Sequence, residues 1–319
     1  MAAMIDGYAH IGLPRFQSVE TCLASMDANG ISAAIVCPFE TGPDIAEVHR
    51  ALTVAPERFR GFGLALGDSR ELVEAGMRAQ LDAGFDGFRV TLDRIIAAPF
   101  VLDVIGERGG IIMPVGGNGL AGGARRLLDF LERYPDAMVL APHMAGVATP
   151  SLFDRDVLVR ALFSHPHFNV VLTRQTRLPE TVVDDWIEAL IDVVGWDRLM
   201  WGSEQPVLFW RDDAIGTAAA SFEKHLPSDS ARDAFFQETA QRVILDRPRR
   251  PVAELSLPYD PFAFELKLPA PMWPHGLAAD TRLPARLVAA WMAAGGPETE
   301  PLGAFASRLM LQALEAREP

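Results

Sequence analysis

The chain of 319 residues is 49% hydrophobic and carries a formal charge of −13. That length predicts one large domain or two ordinary ones, with enough core to fold without disulfide staples. The acidic balance excludes a nucleic-acid surface, which needs a basic face, and no apolar run reaches the roughly 18 residues of a membrane span.

The two cysteines, Cys22 and Cys37, lie in apolar stretches and read as reduced core thiols. No charged segment followed by an apolar run and a cleavage site opens the sequence, which predicts a cytoplasmic protein. Among 29 basic residues only Lys224 and Lys267 are lysines, and neither stands at a strand end. This leaves little room for a Schiff-base lysine or one bridging two metals.

In chain order, short β-branched runs fall at 4–11, 32–38, 59–66, 87–92, 110–116, 138–144, 169–175 and 198–204. In the first, MIDGYAHI, Tyr8 and His10 are two apart and share a face, with Ala9 on the other. Amphipathic segments separate the runs. Residues 18–28 form one, stopped by Asn29-Gly30, and 69–83 another, stopped by Gly84. Over 181–194 the spacing puts Val182, Trp186, Leu190 and Val193 on one stripe, with Asp184 and Asp185 off it. Eight strands, each followed by a helical connection, predict an α/β fold of the (β/α)8 TIM-barrel type over 1–248.

After Leu245 the composition turns rich in proline and aromatics, and 282–314 returns to a helical pattern. Residues 249–319 therefore read as a C-terminal extension. Either it packs over the barrel's helices, or it forms a lid or a homodimer arm anchored by Phe262, Phe264 and Trp273.

Barrel active sites gather at the C-terminal ends of the strands. The polar residues there are Tyr8, His10, Glu40, Arg89, Asn118, His143, Thr173, Gln175 and Glu204. His165 and His167 precede strand seven at the opposite end and read as a solvated turn. His49, His225 and His275 have no polar neighbourhood in sequence.

These residues stand in a pattern that resembles the amidohydrolase-2-type family. Asp6-x-Tyr8-x-His10 stands where that family carries D-x-H-x-H. PERFRGFGLAL and GFDGFRV resemble two further elements, ERYPDAMVLAPHMAG the strand ending in H-x-G, and RLMWGSEQPV the strand-eight element. They fall in order from 4 to about 245, and the branch resembled is that of sugar-acid and 2-pyrone-4,6-dicarboxylate lactonases. The departures matter as much. Family members use two strand-one histidines and a strand-eight aspartate for a metal or for water activation. Here Tyr8 replaces the first histidine, Glu204 the aspartate, and 173–176 reads TRQT in place of a K-x-S-G-like run.

The resemblance implies a hydrolase that opens a small carboxylated lactone, cyclic ester or amide with activated water. Its alternatives are a decarboxylase or isomerase in the same pocket, or a noncatalytic ligand-binding relative. With no metal, Glu204 serves as base, Tyr8 and His10 donate to the oxyanion, and His143 protonates the leaving alkoxide. Arg89 holds an anionic substrate with its planar fork, and Glu40, Asn118, Thr173 and Gln175 complete the pocket. The bland readings are an Arg89 ion pair with Glu40 or Glu204, and Tyr8 as a core aromatic. The alternative cofactor is one divalent ion, zinc or manganese, held by His10, His143 and Glu204, a His2Glu set. Against it, a neutral phenol is a poor ligand and Glu is a methylene longer than Asp.

Overall fold

The computed structural model describes residues 4–13, 15–40, 42–116, 120–173, 175, 178–211 and 213–261. It also describes the short pieces 265–266, 283–284, 290–295, 305 and 308–309. Asn118, Phe262, Phe264 and Trp273 lie outside the described residues.

Eight parallel strands pair in chain order: β1 (Met4–His10), β2 (Ile31–Cys37), β3 (Phe59–Leu64), β4 (Gly87–Thr91), β5 (Ile111–Val115), β6 (Met138–Ala141), β7 (Phe168–Leu172) and β8 (Leu199–Trp201). Helices lie between them, so the chain forms a nearly closed (β/α)8 TIM barrel. All eight predicted strands are present. The last three stop at Ala141, Leu172 and Trp201, so His143, Thr173 and Glu204 project from loops. The helices start where the sequence indicates. Ser18 caps Val19–Ala28 by accepting from the Thr21 N–H, and Ser69 caps Arg70–Asp82 by accepting from the Leu72 N–H. On Glu180–Val193 the predicted stripe is shifted: Trp186, Ile187 and Leu190 are buried, whereas Val182 is 39% exposed.

Two apolar layers result. Ile5, Ile35, Phe62, Met113, Leu140, Val171 and Met200 fill the barrel, floored by Ala240, Val243 and Ile244 from the segment after β8. A second, larger layer lies between strands and helices and takes in Val19, Met26, Phe88, Phe168 and Trp186. The chain then crosses the bottom of the barrel. Fully buried Arg60 pairs with Asp86 at 2.8 Å and donates to the Leu245 and Arg247 carbonyls. Arg249 donates to the Phe59 carbonyl, and His49 shares a 2.7 Å hydrogen bond with the Ala253 carbonyl. Tyr259 lies against Gly76, where a Cβ would collide with its ring.

Closure between β1 and β8 is made beyond the ladder. The Glu204 N–H donates to the Tyr8 carbonyl at 2.8 Å, and the His10 N–H to the Gln205 carbonyl at 2.7 Å. Gly7 and Gly202 permit this approach, because a Cβ on Gly7 would sit 2.8 Å from the Trp201 carbonyl and one on Gly202 3.0 Å from Tyr8. A register shift between Asp6 and Ala9 marks a bulge in β1. Ile5 and Tyr8, an odd number of residues apart, consequently both join the interior cluster. Asp6 takes the other direction and its buried carboxylate clasps the seam. It accepts from the Tyr8 N–H at 3.1 Å, the Ser203 N–H at 2.8 Å, the Ser203 hydroxyl, and Gln205 Nε2 at 3.3 Å. Replacing Asp6 with Asn puts an amide N–H2 against these donors. Asp6→Asn is expected to lower stability by about 3 kcal/mol in urea unfolding. An unchanged midpoint would assign closure to the backbone pairs alone.

Candidate active site

The bulge turns Tyr8 and His10 into the C-terminal mouth, where both are buried, as the shared-face reading requires. Their rings meet edge to face with centroids 4.7 Å apart, and the Tyr8 ring meets His143 the same way at 4.9 Å. Tyr8 therefore stands between the two imidazoles. Its hydroxyl accepts from Arg89 Nε at 3.3 Å, and burial pushes the phenol pKa up, so Tyr8 stays a neutral donor.

His10 stacks on Phe16 at 4.4 Å, and its Nδ1 lies 3.2 Å from the Cys37 carbonyl. A carbonyl only accepts, so Nδ1 carries the hydrogen and Nε2 is the acceptor. Burial, then the neighbouring Arg89 charge, hold its pKa well below 6.5, and the ring is neutral. His10 is thus poorly placed to donate to an oxyanion, the role the sequence suggests for it. Cys37 is a free, buried thiol with Sγ 3.5 Å from His10 Nδ1, and burial pushes it up to about 12.

Arg89 is 4% exposed and forms an ion pair with neither Glu40 nor Glu204; Glu40 acts on it only through the field of its charge. Its Nη1 is enclosed and has no hydrogen-bond partner among the described residues. The guanidinium lies 4.1 Å over the Phe39 ring, and that of Arg15 lies 4.0 Å over the same ring. Burial, with Arg89 adding to it, lowers Arg15 to about 10, so both remain cations at neutral pH. Arg15 and Phe39 were not singled out by the sequence reading. The available signal was an arginine in the loop directly after the first strand.

His143 and Glu204 face each other across the mouth. His143 Nδ1 lies 3.2 Å from Thr173 Oγ1 and 3.7 Å from Glu204 Oε1, and Gln175 Nε2 donates to the same threonine oxygen at 3.1 Å. Gln175 also lines a side cavity of about 270 Å³ with Leu178, Ile187 and Phe222. Both His143 and Glu204 have left-handed backbone, φ 54° and 59°. Such positions cost about 1–2 kcal/mol each outside glycine and concentrate at functional sites.

Of the candidate ligands His10, His143 and Glu204, the two imidazoles both meet the Tyr8 ring, whose hydroxyl accepts from the Arg89 cation, and Thr173 lies against His143 Nδ1. Among the described residues no group of three His, Cys, Asp or Glu side chains is placed to hold a metal ion. Of the other histidines, His165 accepts the His167 N–H at 3.1 Å in a turn at the barrel bottom. His225 has a polar partner that the sequence did not reveal, Asp184 at 2.9 Å.

The His10 environment fixes a pH dependence. Unfolded, its imidazole takes a proton near its ordinary 6.5; folded, it does not. The unfolded state then binds more protons, so stability falls as pH drops through that value. His10→Gln is expected to flatten the loss of stability between about pH 7 and 5 in urea unfolding, and the native His10 ring signals should not titrate there.

The amidohydrolase family model matches residues 120–244. No curated protein matches the sequence. Among solved structures, a probable 2-pyrone-4,6-dicarboxylic acid hydrolase from Acinetobacter baumannii with citric acid bound is 14% identical, with TM-score 0.57 over 76% of this chain and 98% of that one. An amidohydrolase from Burkholderia multivorans with bound zinc is 17% identical, with TM-score 0.59 over 76% and 99%. The 5-carboxyvanillate decarboxylase of Sphingomonas paucimobilis is 12% identical, with TM-score 0.57 over 77% and 99%. At these identities the structures share the fold. The family match over the second half of the barrel and the shared architecture agree with the amidohydrolase resemblance.

Proposed function

We propose that this barrel is a metal-independent hydrolase that opens a small carboxylated lactone or related cyclic ester. The observation that carries the reading is Arg89. A buried guanidinium with an unpartnered Nη1 is costly unless an anion completes it, and this one sits beside the phenol of Tyr8. Arg89 Nη1 would take the substrate carboxylate, leaving Nε on Tyr8.

The remaining steps use this chain's own groups. Glu204 takes a proton from water as it attacks the ring carbonyl. The Tyr8 hydroxyl, whose oxygen accepts from Arg89, directs its proton to the developing oxyanion, and the guanidinium offsets that charge. Collapse of the tetrahedral intermediate expels the ring oxygen as an alkoxide, which the His143 imidazolium protonates from Nδ1, becoming neutral. Glu204, 3.7 Å from His143 Nδ1, then returns the proton to the imidazole, and the pair is reset. His10 stays neutral throughout and supplies an acceptor at Nε2.

A bound zinc in one structural neighbour supports the competing route, in which a metal activates water; decarboxylase neighbours support a lyase. A pH-stat assay on mono- and dicarboxylated five- and six-membered lactones separates the three. The expected outcome is acid release that is insensitive to chelator. Arg89→Gln should raise KM by about 10- to 100-fold, and Glu204→Gln should lower kcat by about 100-fold or more. Chelator-sensitive turnover restored by zinc or manganese would overturn metal independence, and CO2 release without ring opening would overturn hydrolysis.

A further inference from the structure

His143 opens a run of unusual backbone. His143, Met144, Ala145 and Gly146 have φ of 54°, 56°, 56° and 75°, so three consecutive non-glycine residues are left-handed. Each such residue is disfavoured by contact between its Cβ and the carbonyl that follows. Something outside the run has to hold it. Inside this segment the Ala145 N–H donates to the Pro142 carbonyl at 3.0 Å. From outside, the indole N–H of Trp186 donates to the Met144 carbonyl at 2.8 Å.

Trp186 is fully buried and rigidly placed. It stacks on Phe153 with centroids 5.0 Å apart and planes 9° apart, and meets Phe163 edge-on at 6.2 Å. Its indole N–H is its sole donor, and it is aimed at the carbonyl of the residue directly after His143. Releasing that carbonyl frees the Met144 peptide to rotate, and with it the imidazole that faces Thr173 and Glu204.

We propose that Trp186 is a positioning residue: its indole hydrogen bond holds the left-handed turn after β6 and thereby keeps His143 Nδ1 against Thr173 and Glu204. The claim about geometry stands alone; only its kinetic consequence rests on the catalytic role proposed for His143.

The test compares three changes in the full-length chain. Trp186→Phe keeps a ring to stack on Phe153 but deletes the N–H. Phe153→Leu removes the stack and leaves the N–H. Ala145→Gly relieves left-handed strain at the cost of one methyl. The primary readout needs no substrate: the 15N chemical shifts of the His143 ring nitrogens, which report tautomer and hydrogen bonding. Trp186→Phe is expected to move the His143 shifts toward a tautomer average, and Phe153→Leu is expected to leave them in place even at an equal loss of Tm. Adding Ala145→Gly to Trp186→Phe should restore them in part. Should Trp186→Phe alone fail to fold, the double variant is read instead, with Ala145→Gly as its reference. Unchanged His143 shifts in the folded Trp186 variant, or equal shifts from Phe153→Leu, would overturn the proposal. With a turned-over lactone, Trp186→Phe should lower kcat about 10-fold with KM held within about twofold. Displaced shifts with unchanged kcat would uphold the positioning role and remove His143 from the catalytic reading.

Discussion

One buried carboxylate closes the barrel and builds its mouth. Asp6 gathers four donors, from Tyr8, Ser203 and Gln205, at the one edge where strands do not pair continuously. Burial raises its pKa and the donors pull it part of the way back, leaving it at about 6, so at neutral pH it is mostly ionised. Because the Tyr8 carbonyl then receives the Glu204 N–H, the seam that shuts the barrel also fixes Tyr8 and Glu204 relative to each other. Fold closure and site geometry share the same few bonds.

The charge arrangement at the mouth follows from that seam. Tyr8 is driven between His10 and His143, and Arg89 binds its hydroxyl, so a guanidinium and a phenol occupy the ground between the imidazoles. Arg15 adds a second buried cation on the far side of this group through Phe39. In a site with water largely excluded, such fixed donors act on an anion without having to reorganise. The strained backbones of His143 and Glu204 are the corresponding expense, held by the indole of Trp186 on one side and by the seam on the other.

Much of this was legible along the chain. The alternation of β-branched runs and amphipathic segments carries the barrel, because a strand buried on both faces and a helix buried on one leave different periodicities. The positions of Tyr8, His10, Arg89, His143, Thr173 and Glu204 at strand ends were equally legible, since in this architecture the ends converge. Val182 was misplaced because an outer helix touches the barrel along a narrow line, and spacing alone does not say which side of the stripe meets it. The His225–Asp184 pair escaped because its members are far apart in sequence.

The sequence by itself determined that Tyr8, His10, Arg89, His143, Thr173 and Glu204 stand at strand ends: period-two alternation and strand order are local properties, written in the order of residues. It also put Tyr8 and Glu204 at the positions where the resembled family carries histidine and aspartate. What only the tertiary structure decided is what each of these groups can do. The hydrogen on His10 is committed to Cys37, Arg89 pairs with a phenol and with neither glutamate, and His143 hangs on a left-handed turn held by Trp186. Each depends on a bulge, a backbone carbonyl or a φ angle, and these are set by chain segments many residues away. Protonation and hydrogen-bond direction follow from such neighbours in space, which no local pattern of residues records.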